Sequence, residues 1–178
     1  MRVLVAYASK HGATAGIAER IGMQLGCSGL DVDVLPIDDV RAVAEYDAYV
    51  LGSAVYIGSW MKDAIRFVHQ NAHTLATRPV WLFSSGPLGD DPRDGKGNDL
   101  RETSRPKQAA KLDALLDPRE HRVFFGALDR SDFGLGERLI AAMPAGDKLL
   151  PEGDFRDWPE IDAWAQAIAA DIQAVLTT

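Results

Sequence analysis

At 178 residues, 47% of them hydrophobic, the chain has the length of one domain and enough apolar side chains for one sizeable core. Nineteen Lys and Arg stand against twenty-six Asp and Glu; the resulting formal charge of −7 argues against nucleic acid and against a polybasic hold on anionic lipid. Cys27 is the single cysteine, so an internal disulfide and cysteine-based zinc-finger spacing are both excluded.

Short apolar runs alternate with longer helical patterns, the mark of βαβ units and a parallel sheet. Val3 to Ala8 reads as a buried strand; it is too short for a leader, and Ser9-Lys10-His11-Gly12 interrupts it. No apolar run reaches the roughly 20 residues of a membrane span, so a reducing, cytoplasmic setting without membrane insertion is expected. A helix is predicted over 14–25, where Ile17, Ile21 and Leu25 recur every four residues, and Gly26 and Gly29 supply stop signals. Asp31-Val32-Asp33-Val34-Leu35 alternates as an edge strand does. Tyr49 to Gly52 reads as a third strand, Ala64 to Val68 lies on the next helix, and Pro79 to Ser84 reads as a fourth strand with Trp81 in the core.

The polar stretch from Gly86 to Pro106 is expected to be a loop, followed by a helix over 109–116 and a fifth strand from Arg122 to Leu128. A last helix is predicted from Trp158-Pro159 through Ile161, Trp164, Ala165, Ile168, Ile172 and Val175. Residues 129–157 form an insertion before it, with a short helix expected over 135–143. The chain is read as one domain over 1–178, an α/β doubly wound five-stranded parallel sheet with an insertion before the last helix.

Ligands of open α/β sheets bind beyond the carboxyl ends of the strands, at the topological switch point. Three loops have that address. Ser9, Lys10, His11, Gly12, Ala13 and Thr14 place hydroxyls and successive amides at a helix N-terminus, a cradle for a phosphate dianion; an ordinary capped turn fits the same composition. Ser53, Ala54, Val55, Tyr56, Ile57, Gly58 and Trp60 follow the third strand, and Tyr56 or Trp60 could cover one face of a flat ring system. Ser84, Ser85, Gly86, Pro87, Leu88 and Gly89 follow the fourth strand and offer amides and hydroxyls to a polar ring edge, although turn chemistry accounts for them equally. The Rossmann fingerprint is missing, and the only Gly-Lys pair, Gly95-Lys96, lies far from the first strand, so neither a dinucleotide nor a Walker loop is expected.

His69, His73 and His121 lack the spacing of metal ligands, Ser84-Ser85 lacks a nucleophile elbow, and Cys27 is expected to pack. Pro92 breaks any calcium-loop pattern among Asp90, Asp91, Asp94 and Asp99, which leaves a solvated loop.

At Ala8 to Thr14 the chain resembles the phosphate loop of the flavodoxin family, with His11 where a hydroxyl residue is usual. The resemblance implies the flavodoxin-like strand order 2-1-3-4-5, a non-covalent FMN across the three loops, and electron transfer to a redox partner protein or a small-molecule donor or acceptor. Val50 to Gly58, Phe67-Val68, Gly126 to Leu128, Asp157-Trp158 and the insertion are similar to the quinone-dependent protoporphyrinogen IX dehydrogenases of that fold. Their insertion is rich in basic and aromatic residues, whereas here it is close to neutral. Such an enzyme, and a flavin-free interaction module, are the alternatives. No catalytic side chain and no metal are expected, because a flavin carries its own chemistry. The acidic composition predicts negative charge around the cofactor, which would lower its potential.

Overall fold

The computed structural model describes residues 1–129 and 151–176, without the side chains of residues 175 and 176. Strands β1 (Arg2–Ala8), β2 (Asp31–Pro36), β3 (Ala48–Tyr56), β5 (Val80–Ser85) and β6 (Glu120–Phe124) form a parallel sheet in the order β2-β1-β3-β5-β6. The two-residue β4 (Ser59–Trp60) folds back antiparallel on β3. With that hairpin arm set aside, the order is the expected 2-1-3-4-5.

A fully covered parallel strand must be apolar on both faces, and β1 is. Val3 and Val5 face helices α1 (Ala13–Cys27) and α5 (Trp158–Leu176), meeting Ile17, Ile21, Leu25, Trp164 and Ile168. Leu4 and Ala6 face the opposite layer of α2 (Lys62–Leu75) and α4 (Ala109–Leu116), with Phe67, Val68, Leu112 and Leu116. Trp81 is in the core as expected. Arg20 forks onto Asp162 with two 2.6 Å bonds and ties α1 to α5.

The structure refines several expectations. Helix α1 continues through Gly26 and ends at Ser28, before Gly29 turns the chain into β2. Cys27 is exposed there and does not pack. The fifth parallel strand ends at Phe124; the chain then leaves the sheet, and β7 (Ala127–Leu128) pairs antiparallel with β8 (Gly153–Asp154). A Cβ on Gly126 would lie 3.3 Å from Ser85 Oγ, which marks how closely the departing chain passes β5. The β7–β8 ribbon brings the two ends of the insertion together; the helix expected over 135–143 lies outside the described residues.

The polar stretch after β5 is not wholly irregular. Asp94 accepts bonds from the Lys96 and Asn98 amides, and Asp99 caps the short helix α3 (Leu100–Thr103) through the Arg101 amide. Its carboxylates therefore serve turns and a cap.

The strand register aligns Ala8, Ser53 and Ser84 across β1, β3 and β5, so the three candidate loops leave the sheet at one level. Gly52 sits one step behind that line, where a Cβ would run into the Phe83 ring. Gly52→Ala is predicted to lower stability by about 1–3 kcal/mol through overpacking, measured by urea unfolding, with partial recovery in the double variant with Phe83→Leu.

Candidate cofactor site

Helix α1 begins directly after the first loop with no acid in its first turn and no side chain capping it. Gly12 holds the N-cap position at φ +80°, and nothing lies within 4 Å of where its Cβ would be. A larger residue would be strained in that left-handed conformation. Ser9 Oγ and Thr14 Oγ1 are both buried without a hydrogen-bond partner. An unpaired buried hydroxyl costs on the order of 1–3 kcal/mol, so two on one loop are poor design for a plain turn. A multi-oxygen anion suits them and the positive end of the helix dipole.

The second loop is a hairpin. Ile57 at φ +52° and Gly58 at φ +71° turn β3 into β4, and the Ile57 side chain is 94% exposed. Lys107 holds the turn from outside: its amide donates to the Gly58 carbonyl at 2.9 Å and its Nζ to the Ile57 carbonyl at 3.2 Å. Tyr56 is half-buried, with His11 edge-on at 6.1 Å and Lys10 Nζ 5.4 Å from the ring centre. It is the aromatic of this loop that faces the first loop.

Trp60, the other aromatic weighed for that role, is turned inward. It is 3% exposed, and its indole N–H donates to Ser84 Oγ at 2.8 Å. Ser53 Oγ donates to the Ala54 carbonyl and accepts from the Met61 amide. The side chains of Ser53, Trp60 and Ser84 are thus engaged inside the protein, because they sit where the strands are still covered by α2 and α4. In the third loop Ser85 and Pro87 are buried, while Gly86, Leu88 and Gly89 are half-exposed. The Gly86 amide donates to the Phe124 carbonyl, the Gly126 amide to Pro87, and the Phe155 amide to Gly126. This loop is therefore stitched to the insertion's two ends.

Ser84 also lies 3.0 Å from His121 Nε2, and His121 Nδ1 lies 3.4 Å from Asp113 Oδ1. Since Trp60 donates into Ser84 Oγ, the serine proton points to Nε2, which leaves the imidazole proton on Nδ1 toward Asp113. His121 thus has a carboxylate partner in Asp113. The order Ser–His–Asp is that of a hydrolytic triad, yet Ser84 is fully buried and no substrate can reach its oxygen. The network instead locks the hairpin to β5, β6 and α4. Its partners are far apart in sequence, so nothing local signalled it.

A cavity of about 420 Å³ adjoins the first loop, lined by His11, Gly12 and Ala13 on one side and by Asp129, Glu152 and Arg156 on the other. Arg156 forks onto Asp154 at 2.7 and 2.6 Å, covers the Trp158 ring at 4.4 Å, and leaves no room for a Cβ at Gly16.

The charge at the site is mixed. Residues 9–14, 53–62 and 84–89 contain no carboxylate, and they carry Lys10, His11 and Lys62. Lys107 adds an ammonium at the hairpin, whereas Asp63, just beyond, is paired with Arg66 at 2.7 Å. Acids border the first loop from neighbouring segments: Asp129, Glu152 and Asp154 line the cavity beside His11 and Gly12, and Asp38 and Asp63 line the one beside Ser9.

The sheet with an uncapped helix start at its switch point is an open α/β architecture, the class whose ligands bind at the carboxyl strand ends. The chain belongs to the flavodoxin family: residues 4–148 match the flavodoxin domain, and that membership implies a flavin cofactor. Its fold is similar to that of a flavodoxin from the Archaea (TM-score 0.59, 17% identity, 97% of this chain and 99% of that one). It is also similar to a Streptococcus pneumoniae flavodoxin (TM-score 0.58, 16% identity, 96% of this chain and 99% of that one). Rubredoxin oxygen:oxidoreductase from Desulfovibrio gigas contains a similar fold (TM-score 0.62, 12% identity), and this chain covers 99% of its own length but 37% of that protein. No curated protein matches the sequence. Among the described residues, no helix is long and apolar enough to cross a membrane.

Burial holds His121 below its ordinary value of 6.5, against the opposing pull of Asp113. The unfolded chain therefore binds a proton more readily than the folded one as pH falls below about 6.5, and stability declines from there until the folded-state value is passed. Urea unfolding between pH 7.5 and 5 is predicted to show this slope (a window set by the imidazole's unperturbed range), and His121→Gln to flatten it.

Proposed function

We propose that this protein binds FMN non-covalently and transfers electrons to and from a redox partner. The observation that carries the reading is the pair of buried, unpartnered hydroxyls, Ser9 Oγ and Thr14 Oγ1, at the uncapped start of α1. These hydroxyls and the amides of residues 10–14 hold the phosphate. Tyr56 covers the ring system, and the backbone of Gly86, Leu88 and Gly89 meets its polar edge. Ser53, Trp60, Ser84 and Ser85 support these loops from beneath, and Ala54, Val55 and Gly58 set the hairpin's path. When bound, the flavin supplies the one- and two-electron chemistry. The protein fixes its position and, through Lys10, Lys62 and Lys107, the field around it.

Purified protein incubated with FMN and then desalted is predicted to retain the visible flavin bands. Thr14→Ala is predicted to weaken FMN binding about 10- to 100-fold, the worth of one hydrogen bond to a charged group, and Thr14→Asp to abolish it. Unchanged affinity in a folded Thr14→Asp variant would place the phosphate elsewhere. A folded protein that stays colourless would support a flavin-free interaction module on this fold.

One observation favours a second reading, a dehydrogenase of the protoporphyrinogen type. The β7–β8 ribbon brings both ends of the insertion beside the first loop, where extra chain could contact a bulky substrate. That reading requires the FMN-loaded protein to oxidise a porphyrinogen and to be reoxidised by a quinone. Absence of both reactions would eliminate it and leave electron transfer intact.

A further inference from the structure

We propose that the β3–β4 hairpin tip is the docking point for an acidic redox protein, whose carboxylates meet Lys62 and Lys107 while an apolar recess takes Ile57. The proposal rests on the electron-transfer reading, because it names the partner chemistry of that same site.

A single exposed isoleucine is ordinary. Ile57 is unusual in combination with its backbone. It stands at φ +52°, a conformation that a β-branched residue occupies at a cost on the order of 1–3 kcal/mol and that Asn or Gly would adopt more easily. The side chain gains no burial in return, since 94% of it is exposed. Folding alone gives no reason for isoleucine here, whereas a contact made only in a complex does.

The polarity of the partner follows from the surrounding charge. Lys107 reaches the Ile57 carbonyl with its ammonium 3.2 Å away, and its methylenes rest against Gly58. Lys62 opens α2 immediately after the hairpin and is exposed, and Lys10 lies over the Tyr56 ring next to Ile57 in sequence. Asp63, the acid next to Lys62, is paired with Arg66. In a chain of net charge −7, the hairpin residues 53–62 carry no carboxylate and, with Lys107 bonded to the Ile57 carbonyl, set ammonium groups beside one apolar tip. Such a tip steers an acidic partner inward while the rest of the surface repels it, which fixes the docking orientation. An anionic membrane is the weaker candidate, since one isoleucine and a few lysines on an acidic protein give little hold on a bilayer.

The test is an amide-resolved NMR titration of the isotope-labelled full chain, run with and without added FMN. The probes are a plant-type ferredoxin as acidic protein, cytochrome c as basic protein, and vesicles of phosphatidylglycerol and phosphatidylcholine. The proposal expects ferredoxin to shift the amides of Ile57, Gly58 and Lys107 at low salt. Binding should weaken about tenfold or more in the double variant Lys62→Glu with Lys107→Glu, and should vanish at high salt. Ile57→Asn, which suits the left-handed turn, should keep the hairpin folded and still lower the affinity. Cytochrome c at the hairpin, vesicles in place of ferredoxin, or no probe at the hairpin would each overturn the proposal. Failure to retain FMN would instead overturn the cofactor reading, because the FMN-free titration reports on the tip independently.

Discussion

The structure turns on how α1 begins. A helix start leaves amide groups unpaired, and proteins usually cover them with a capping side chain or an acid in the first turn. Here Gly12 caps nothing, the first turn is uncharged, and two hydroxyls beside it are buried without partners. The apolar sandwich of β1 between two helical layers fixes α1 in place. The helix start is thus suited to an anion, and membership of the flavodoxin family implies a flavin cofactor.

Around that point the protein builds rigidity from buried polar bonds. Trp60, Ser84, His121 and Asp113 form one connected chain from the hairpin through β5 and β6 to α4. A buried polar network is stabilising only when its members are satisfied, and this one is, in a single tautomer. It fixes the root of the hairpin while the tip at Ile57 and Gly58 projects into solvent. The third loop is held in turn by backbone bonds to Phe124, Gly126 and Phe155. The second and third loops thus hang on a stiff frame, which suits a cofactor that carries its own chemistry.

Much of this was legible in the sequence, for identifiable reasons. The apolar runs of β1 and β5 and the four-residue spacing of Ile17, Ile21 and Leu25 report local periodicity, which is where single-sequence reading is strongest. The three loops were legible because the switch-point rule ties site position to strand order. What stayed hidden depends on contacts between distant positions. Nothing near Trp60 shows that its N–H meets Ser84, and nothing near Ile57 points to Lys107, which lies 50 residues on. The fifth strand read too long because Ala127-Leu128 has strand composition but pairs in a separate ribbon. Net charge does not locate the charges at the site, since a sum over the chain says nothing of where the carboxylates lie.

The central claim is that Ser9 and Thr14 await a phosphate, and calorimetric titration with FMN and with riboflavin tests it most directly. Both carry the same ring system, and only FMN has the phosphate. The account predicts that FMN binds at least about a hundredfold more tightly, the scale of two charge-assisted hydrogen bonds. It further predicts that inorganic phosphate competes with FMN for the site. Equal affinity for the two ligands would show that the start of α1 does not bind the phosphate, and would contradict the account at its base.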